Sequence, residues 1–368
     1  MKILIGDYKQ SLEGGQTYQE NLVNNIDPEK ITFGILTRDK NLSSNERFSQ
    51  LTDRIHVIPL RIQPLKLIKS FKELKHLGYT HIYLNRAVLS IPEMLACLFS
   101  GMHLFIHGHS SKAEAKSLHR RIILTFDHLF SRFFILPLIK RTRLACSYSA
   151  SQWFFGKSAY KNSKVFIIKN AIDTEKFIFN LNSRNAERKK ISLEETTLII
   201  GTVGRFVYVK NQTFLIDIFN EILKKVPNAI LFIVGKGALE QEYRNKIEHL
   251  GIRENVKIIS PREDIENLYF TFDIFVLPSH FEGLPLTLVE AQASSLRCFS
   301  SDTVTKESDI TGLIDFLSLS DGAEKWADAI LSAYPYERTN RSDEITAAGY
   351  NIKNQIKEVE NILLSAKE

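Results

Sequence analysis

Residues 272–292 read "FDIFVLPSHFEGLPLTLVEAQ". The opening "FDIFVLPS" is a short apolar run closed by proline and serine, the pattern of a buried strand. Behind it Pro285 stands where the first turn of a helix tolerates proline, and "LTLVEAQ" continues at helical spacing. A buried strand that delivers straight into a helix is the repeating unit of a doubly wound α/β sheet. Two carboxylates lie along this corner, Glu282 in the loop and Glu290 about two turns inside the helix. An ionised carboxylate only accepts hydrogen bonds, and the vicinal hydroxyls of a sugar offer paired donors. The backbone N–H groups around Gly283 to Leu286 are free to meet a phosphate or a sugar hydroxyl. The plain alternative makes Glu282 a helix-dipole partner and Glu290 a surface residue. Against it, Glu290 is embedded in apolar "LTLVEAQA", where an unpartnered charge is costly.

The same alternation runs outward in both directions. Upstream stand the strand candidates "KILIG", "ITFGIL", "IHVIPL", "HIYLN", "HLFIHGH" and "RLACSYS", with "KVFIIKN" closing the series. Helix-like runs such as "PLKLIKSFKELKHLG" separate most of them, with Gly78 as its C-cap. The polar stretch "NLNSRNAERKKISLEET" then interrupts the pattern and reads as a loop at a domain edge. A second series follows through "TLIIGTVGRF", "AILFIVGKG", "VKIIS", "FDIFVLPS" and "LRCFSSD", with helices expected near 212–225, 239–251, 323–333 and 342–364. The pattern predicts two doubly wound domains facing each other across a cleft, 1–172 and 173–344, with a last helix of about 345–368 packing back on the first.

Composition bounds the function. The chain has 368 residues, 44% hydrophobic and 24% charged, which excludes wholesale disorder. Its three cysteines are scattered without metal-ligand spacing, which argues against a disulfide framework and a zinc site and for a reducing, cytoplasmic setting. "MKILIGDYKQ" turns polar too soon for a signal peptide, and "MLACLFSGMHLFI" is too short to span a bilayer and predicts a buried helix leading into a strand. The net charge of +6 is unevenly held. Met1 to Asn170 carries 25 Lys+Arg against 12 Asp+Glu, or +13, and the remainder is −7. The basic half predicts an anionic partner: a membrane surface, a lipid-linked phosphate or nucleic acid, against the plain alternative of a solvated basic face.

Two glycine-bearing turns follow strands in the second series. In "VGRFVYVKN" (203–211) a glycine at a strand end lets backbone approach a ligand, the helix start that follows favours anions, and Arg205 and Lys210 add two cations suited to a diphosphate. "VGKGAL" (234–239) reads as a tight βα turn with no direct ligand role.

Together these segments resemble a known family. The pair E-x7-E in "FEGLPLTLVEA" resembles the signature of family 4 retaining glycosyltransferases with the GT-B fold. "VGRF…KNQ", "VPNAILFIVGKG", "IRENVKII" and "IIKNAIDTEKF" agree in order and spacing, and the likeness covers nearly the whole chain. "ACSYSASQWFFG", "IHGHSSK" and "SSDTVTKESDIT" add a likeness to bacterial exopolysaccharide and capsule glycosyltransferases. The resemblance makes Arg205 and Lys210 ligands of the donor diphosphate, Glu290 the ribose ligand, and Glu282, with the backbone of Gly283 and Leu284, the contact to the transferred sugar. It places Gly15, in "EGGQTYQE", in a glycine-rich loop near the donor phosphate, and His107 near the transferred sugar and acceptor, with His109 a weaker candidate. His107, Glu282, Arg205 and Lys210 are the catalytic candidates. Three departures stand out: Ala171 in "NAID" where the family has glycine, Ser295 and Arg297 in "AQASSLRC" where relatives show Gly and Pro, and "GGQ" for Gly-Gly-Ala.

The reaction implied is transfer of a hexosyl group from a nucleoside diphosphate sugar, most simply a UDP-sugar, to a hydroxyl of a lipid-linked or glycan acceptor, with retention. No Asp-x-Asp dipeptide occurs, so Arg205 and Lys210 are expected to stand in for a metal, and no cofactor is expected. Two rivals share the sequence features: a nucleotide-sugar 2-epimerase, which would act on donor alone, and a catalytically silent GT-B scaffold in a polysaccharide assembly complex. The basic half suits a lipid-linked acceptor at the inner face of the membrane, through Arg120, Arg121, Lys140, Arg141 and Arg143, in a protein that is cytoplasmic and peripheral rather than nucleic-acid-binding.

Overall fold

The computed structural model describes residues 1–8, 14–42, 53–110, 117–161 and 164–366. The chain divides into two compact units, Met1–Asn170 with Ile352–Glu368, and Ala171–Asn351.

The first unit is a parallel sheet of β1 (Lys2–Tyr8), β2 (Thr32–Thr37), β3 (Ile55–Val57), β4 (His81–Arg86), β5 (His103–Gly108), β6 (Arg141–Ala145) and β7 (Phe166–Ile167), in the order β3-β2-β1-β4-β5-β6-β7. The second is a parallel sheet of β8 (Ile199–Val203), β9 (Ile230–Val234), β10 (Val256–Ile259), β11 (Ile274–Leu277), β12 (Arg297–Ser301) and β13 (Ile314–Leu317), in the order β10-β9-β8-β11-β12-β13. Both orders run one way from the first strand and then jump to its other side, the doubly wound arrangement whose ligand site lies at the carboxyl ends where the order reverses. Near-continuous apolar strands produce this. Ile274, Phe275, Val276 and Leu277 are all at most 1% exposed, because helices cover both faces of a parallel sheet. "MLACLFSGMHLFI" does form a buried helix, Ile91–Ser100, that turns through left-handed Gly101 into β5.

Several boundaries differ from those read in the sequence. Residues 181–190, expected as loop, form a helix, Leu181–Lys190, capped by Asn180 Oδ1, which accepts from the Ser183 N–H at 2.9 Å. It escapes periodicity analysis because tertiary contacts to charged groups hold it. Arg188 Nη2 donates to Asp273 Oδ2 at 2.7 Å, Arg184 Nη2 to Asp273 Oδ1 at 2.5 Å, and Asp273 also accepts from the Ile199 N–H at 2.8 Å. The single helix expected over 342–364 is two, Ser342–Ala347 and Ile352–Ser365, broken at Gly349 with φ 86°. The later of these belongs to the first unit, so the chain returns there after Asn351. β13 went unread because "IDFL" is too short to stand out.

Candidate functional site: a basic–acidic pair at the switch point of the second sheet

β8 and β11 are neighbours at the reversal of the second sheet, so the loops leaving their carboxyl ends meet. Asn211 Nδ2 donates to the Pro278 carbonyl at 3.1 Å, the His280 N–H donates to the Val209 carbonyl at 2.8 Å, and the Tyr208 and His280 rings stack at 4.5 Å. Asn211 adopts φ 52°, ψ 38°, a left-handed conformation that asparagine tolerates, and from it the helix Gln212–Leu223 starts. Under the β8 loop, Gly235 of "VGKG" has φ 153°, and a Cβ there would lie 2.0 Å from the Gly204 carbonyl oxygen. That turn props the Arg205 loop through the Phe206 N–H, which donates to the Lys236 carbonyl at 2.9 Å.

The clasp brings Lys210 Nζ to 2.7 Å from Glu282 Oε1. Ser279 Oγ donates to the same carboxylate at 3.0 Å, while Ser279 itself is tied down through its carbonyl by Thr303 Oγ1 at 2.9 Å. The two residues read separately from sequence as phosphate and sugar ligands thus form one ion pair, each side chain 16% exposed. The Arg205 side chain is exposed and makes no ion pair among the described residues, which leaves it available to an anion. Gly283 is exposed, with open space where a Cβ would stand.

Glu290 lies on the helix Leu286–Ala293, whose start no side chain caps, so it is one turn in rather than two. It is half-buried at that helix's edge, and Tyr269, itself fully buried, donates its hydroxyl to Glu290 Oε2 at 2.6 Å. Burial pushes the Glu290 carboxyl up to about 7, against the opposing pull of the Tyr269 hydroxyl, Lys210 and Lys176. Tyr269 went unnoticed in the sequence because a partner 21 residues away has no local signature.

Of the family departures, Ala171 is not among the left-handed residues, so the missing glycine costs nothing. Ser295 is left-handed at φ 56° and carries strain that glycine would not. Its hydroxyl oxygen accepts from the Thr339 N–H at 2.9 Å, an interaction glycine lacks. Arg297 uses its N–H, bonded to the Tyr336 hydroxyl at 2.9 Å, which proline could not supply.

In the first unit, the carboxyl ends of β4 and β5 gather aromatic and imidazole groups. His107 is fully buried, with Nδ1 2.8 Å from the Tyr83 hydroxyl, which lies 3.1 Å from that of Tyr18. Burial, with His109 beside it, holds His107 well below the usual imidazole range. The sequence reading put His107 next to a ligand; in the structure the more exposed histidine is His109, whose Nε2 is 2.9 Å from Asn85 Oδ1 and whose ring lies 4.0 Å from that of His107. Gly15 stands in the opening turn of the helix Gly14–Asn25 rather than in a free loop, and residues 9–13 lie outside the described residues. Lys140, Arg141 and Arg143 line one pocket, whereas Arg120 and Arg121 lie apart from it on the helix Leu118–Phe130. Among the described residues, no cluster of three or more His, Cys, Asp or Glu is placed to hold a metal ion, and no helix is long and apolar enough to cross a membrane.

Two doubly wound parallel sheets with a polar site at the second switch point define a GT-B protein. The fold superposes on Anabaena HepE in complex with UDP with a TM-score of 0.75 over 99% of this chain and 100% of that one, at 16% identity. Residues 183–346 match the family described as "Glycosyl transferases group 1". It is 29% identical to the putative glycosyltransferase EpsF of Bacillus subtilis over 95% of this chain and 92% of that one. It is 26% identical to a UDP-Gal:alpha-D-GlcNAc-diphosphoundecaprenol alpha-1,3-galactosyltransferase of Escherichia coli, over 64% of this chain and 61% of that one.

Proposed function

We propose that this chain is a retaining, family 4 hexosyltransferase of bacterial surface polysaccharide biosynthesis, taking a UDP-sugar as donor and a hydroxyl of a lipid-linked or glycan acceptor. The observation that carries the reading is the Lys210–Glu282 pair at 2.7 Å, held at the switch point beside Arg205 and Glu290. A diphosphate displaces neither partner outright: it adds a second anion to Lys210 and draws in Arg205, while Glu282 turns a carboxylate oxygen to a sugar hydroxyl. Glu290, with Oε2 occupied by Tyr269, has Oε1 left for the ribose. UDP as the nucleotide is supported by the HepE complex and by the UDP-Gal donor in the name of the E. coli relative. That relative's diphosphoundecaprenol acceptor supports a lipid-linked acceptor here.

In the reaction the bond between the anomeric carbon and the diphosphate oxygen breaks, and negative charge develops on the leaving group. Lys210, Arg205 and the backbone N–H groups at Gly283 and Leu284 stabilise it, since fixed dipoles and cations supply most of the rate enhancement where charge develops on a leaving group. The acceptor hydroxyl attacks from the same face and its proton passes to the leaving phosphate. With two cations at the phosphates, catalysis requires no metal. Glu282 is a hydroxyl ligand, not a nucleophile, so no glycosyl-enzyme ester forms. We assign the protein to the cytoplasm, attached peripherally at the inner face of the membrane.

The test is saturation-transfer NMR against UDP-, GDP- and ADP-sugars with and without EDTA, followed by incubation of the bound donor with and without a polyprenyl-diphosphate sugar. Binding of one UDP-sugar that survives EDTA and fails in Glu290→Ala, and an α-linked product from an α-donor formed only with acceptor, supports the reading. Conversion of donor alone to its C2 epimer makes the protein an epimerase; silence from the folded protein across the panel leaves the scaffold reading.

A further inference from the structure

β11 pairs with β12 only as far as Leu277 and Ser300, and beyond that point the run "SSDT" (300–303) continues the contact through side chains. Ser300 Oγ donates to the Leu277 carbonyl at 3.2 Å. The Ser279 carbonyl lies within reach of two hydroxyls, Thr303 Oγ1 at 2.9 Å and Ser301 Oγ, which are themselves 2.8 Å apart. One residue further on, Val304, 2% exposed, forms a parallel bridge with Glu282. Both ends of the segment 279–282 are thus fastened to 301–304.

The same segment decides how Glu282 presents its carboxylate. Ser279, fully buried, donates its hydroxyl to Oε1 at 3.0 Å, and Lys210 Nζ reaches the same oxygen at 2.7 Å. A carboxylate oxygen has about two acceptor positions, so two donors fill Oε1. Oε2 accepts from no described residue. Hydrogen bonds to an ionised group are the strong ones, so the carboxylate plane does not turn without losing one of them. A brace that served only the end of the sheet would stop at the Ser279 carbonyl. Here the Ser279 hydroxyl carries it on to the carboxylate.

We propose that Ser279, Ser301 and Thr303 are positioning residues for the donor sugar: they lock Glu282 so that Oε2 alone reads one ring hydroxyl, and so set which epimer of the hexose is accepted. A carboxylate free to turn offers two oxygens and adapts to an axial or an equatorial hydroxyl. A locked one offers a single acceptor at a fixed place and penalises the epimer whose hydroxyl points elsewhere. Lys210 and Arg205 hold the diphosphate in either case, so the brace acts on the sugar and not on the nucleotide. The assignment rests on the donor site proposed above.

Calorimetric titration of the full chain with UDP, UDP-glucose, UDP-galactose and the monodeoxy analogues of both hexoses at C2, C3, C4 and C6 tests it. In the wild type, removing one particular hydroxyl should weaken binding by about tenfold or more. Ser279→Ala, and separately Ser301→Ala/Thr303→Val, should bind UDP within about threefold of wild type. In both, removal of that same hydroxyl should cost less than about threefold, with losses at the other positions unchanged, and the preference between glucose and galactose should narrow by about tenfold. Thr303→Ser keeps the hydroxyl and should match wild type. A general loss of stability would move UDP and every analogue together, which separates it from a lost hydroxyl contact. A flat deoxy profile in the wild type, brace variants that keep the wild-type profile, or variants that lose UDP as much as the hexoses overturn the assignment while leaving the donor site standing. A folded wild type that binds neither UDP nor either UDP-hexose sinks the donor-site reading, and this assignment with it.

Discussion

Lys210 Nζ lies 2.7 Å from Glu282 Oε1, so the cation expected at the donor phosphate and the carboxylate expected at the donor sugar hold each other in place before any ligand arrives. Each limits the other's rotamers, which lowers the ordering cost of binding. Lys210→Met should therefore weaken UDP binding by about tenfold to a hundredfold, by loss of a partly desolvated cation. Glu282→Gln keeps a hydrogen-bond acceptor and should leave UDP affinity within about threefold while slowing transfer by about a hundredfold or more. Calorimetric titration with UDP and turnover of the donor identified by NMR check the pair. Equal losses in binding and turnover for Glu282→Gln would contradict its assignment to the sugar.

Glu290 gives the proposed donor site a pH dependence. Its folded value, pushed up to about 7 by burial, exceeds the ordinary 4.5. Between those values the native state keeps a proton that the unfolded chain has lost. The group's contribution to stability is thus full below about pH 4.5 and is lost as pH rises through 7. Glu290→Gln should then stabilise the ligand-free protein at pH 8 by roughly 1–3 kcal/mol relative to wild type. UDP affinity should climb between pH 6 and 8 as the carboxylate forms. The Tyr269 hydroxyl favours that carboxylate, so Tyr269→Phe should move the climb to higher pH. Titrations across the range, with differential scanning calorimetry of Glu290→Gln, check both signs.

Asp273 anchors the helix that the sequence hid. Its two oxygens accept from Arg184, Arg188 and the Ile199 N–H, at the start of β8. Asp273→Ala leaves two half-buried or buried guanidinium groups unneutralised and should destabilise the second unit by roughly 3–5 kcal/mol. Urea denaturation followed by Trp326 fluorescence, from a fully buried indole in that unit, reads this directly. A loss below about 1 kcal/mol would mean the network is dispensable.

Ser295 holds a left-handed backbone and accepts from the Thr339 N–H through its side chain at 2.9 Å. Ser295→Ala keeps the strain and drops the hydrogen bond, so it should cost about 1–2 kcal/mol. Ser295→Gly drops both, and the two effects should cancel to within about 1 kcal/mol. Thermal melts of the two variants side by side distinguish them; the reverse order would mean that φ 56° is not strained here.

Acid should unfold the first unit selectively. Burial lowers His81 and His107 and pushes His103, His109 and His128 down to about 4, and all five belong to that unit. Each unfolded imidazole takes a proton near pH 6.5 that the folded one refuses, so stability is present above that pH and falls as pH drops toward 4. Hydrogen exchange at pH 5 against pH 7 should show protection lost in β4 and β5 while β8 and β11 keep theirs.

Period and punctuation made much of this protein legible. Four- to six-residue apolar runs alternating with helical spacing specify parallel strands whichever way the rest folds, because a strand covered on both faces must be apolar throughout. That logic recovered strands of both sheets, the corner at Pro285, the loops holding Arg205, Lys210 and Glu282, and the helix that carries Glu290. It could not recover what depends on partners distant in sequence. The Leu181–Lys190 helix is too polar to show a face and exists through Asp273. Tyr269 meets Glu290 only because the Ile265–Thr271 helix packs near the Leu286–Ala293 helix. His107 and His109 look equivalent as letters, and only the packing of Tyr18 and Tyr83 around the first leaves the second as the one within reach of solvent. The inward face of the helix Leu118–Phe130 belongs to the same class. Its amphipathicity is written in the sequence, but which side points inward is decided by His128 and Asp127 finding buried backbone N–H groups at Leu89 and Ile91. Local pattern sets which elements form; burial of charge and hydrogen bonds between distant segments sets which side chains are left to act.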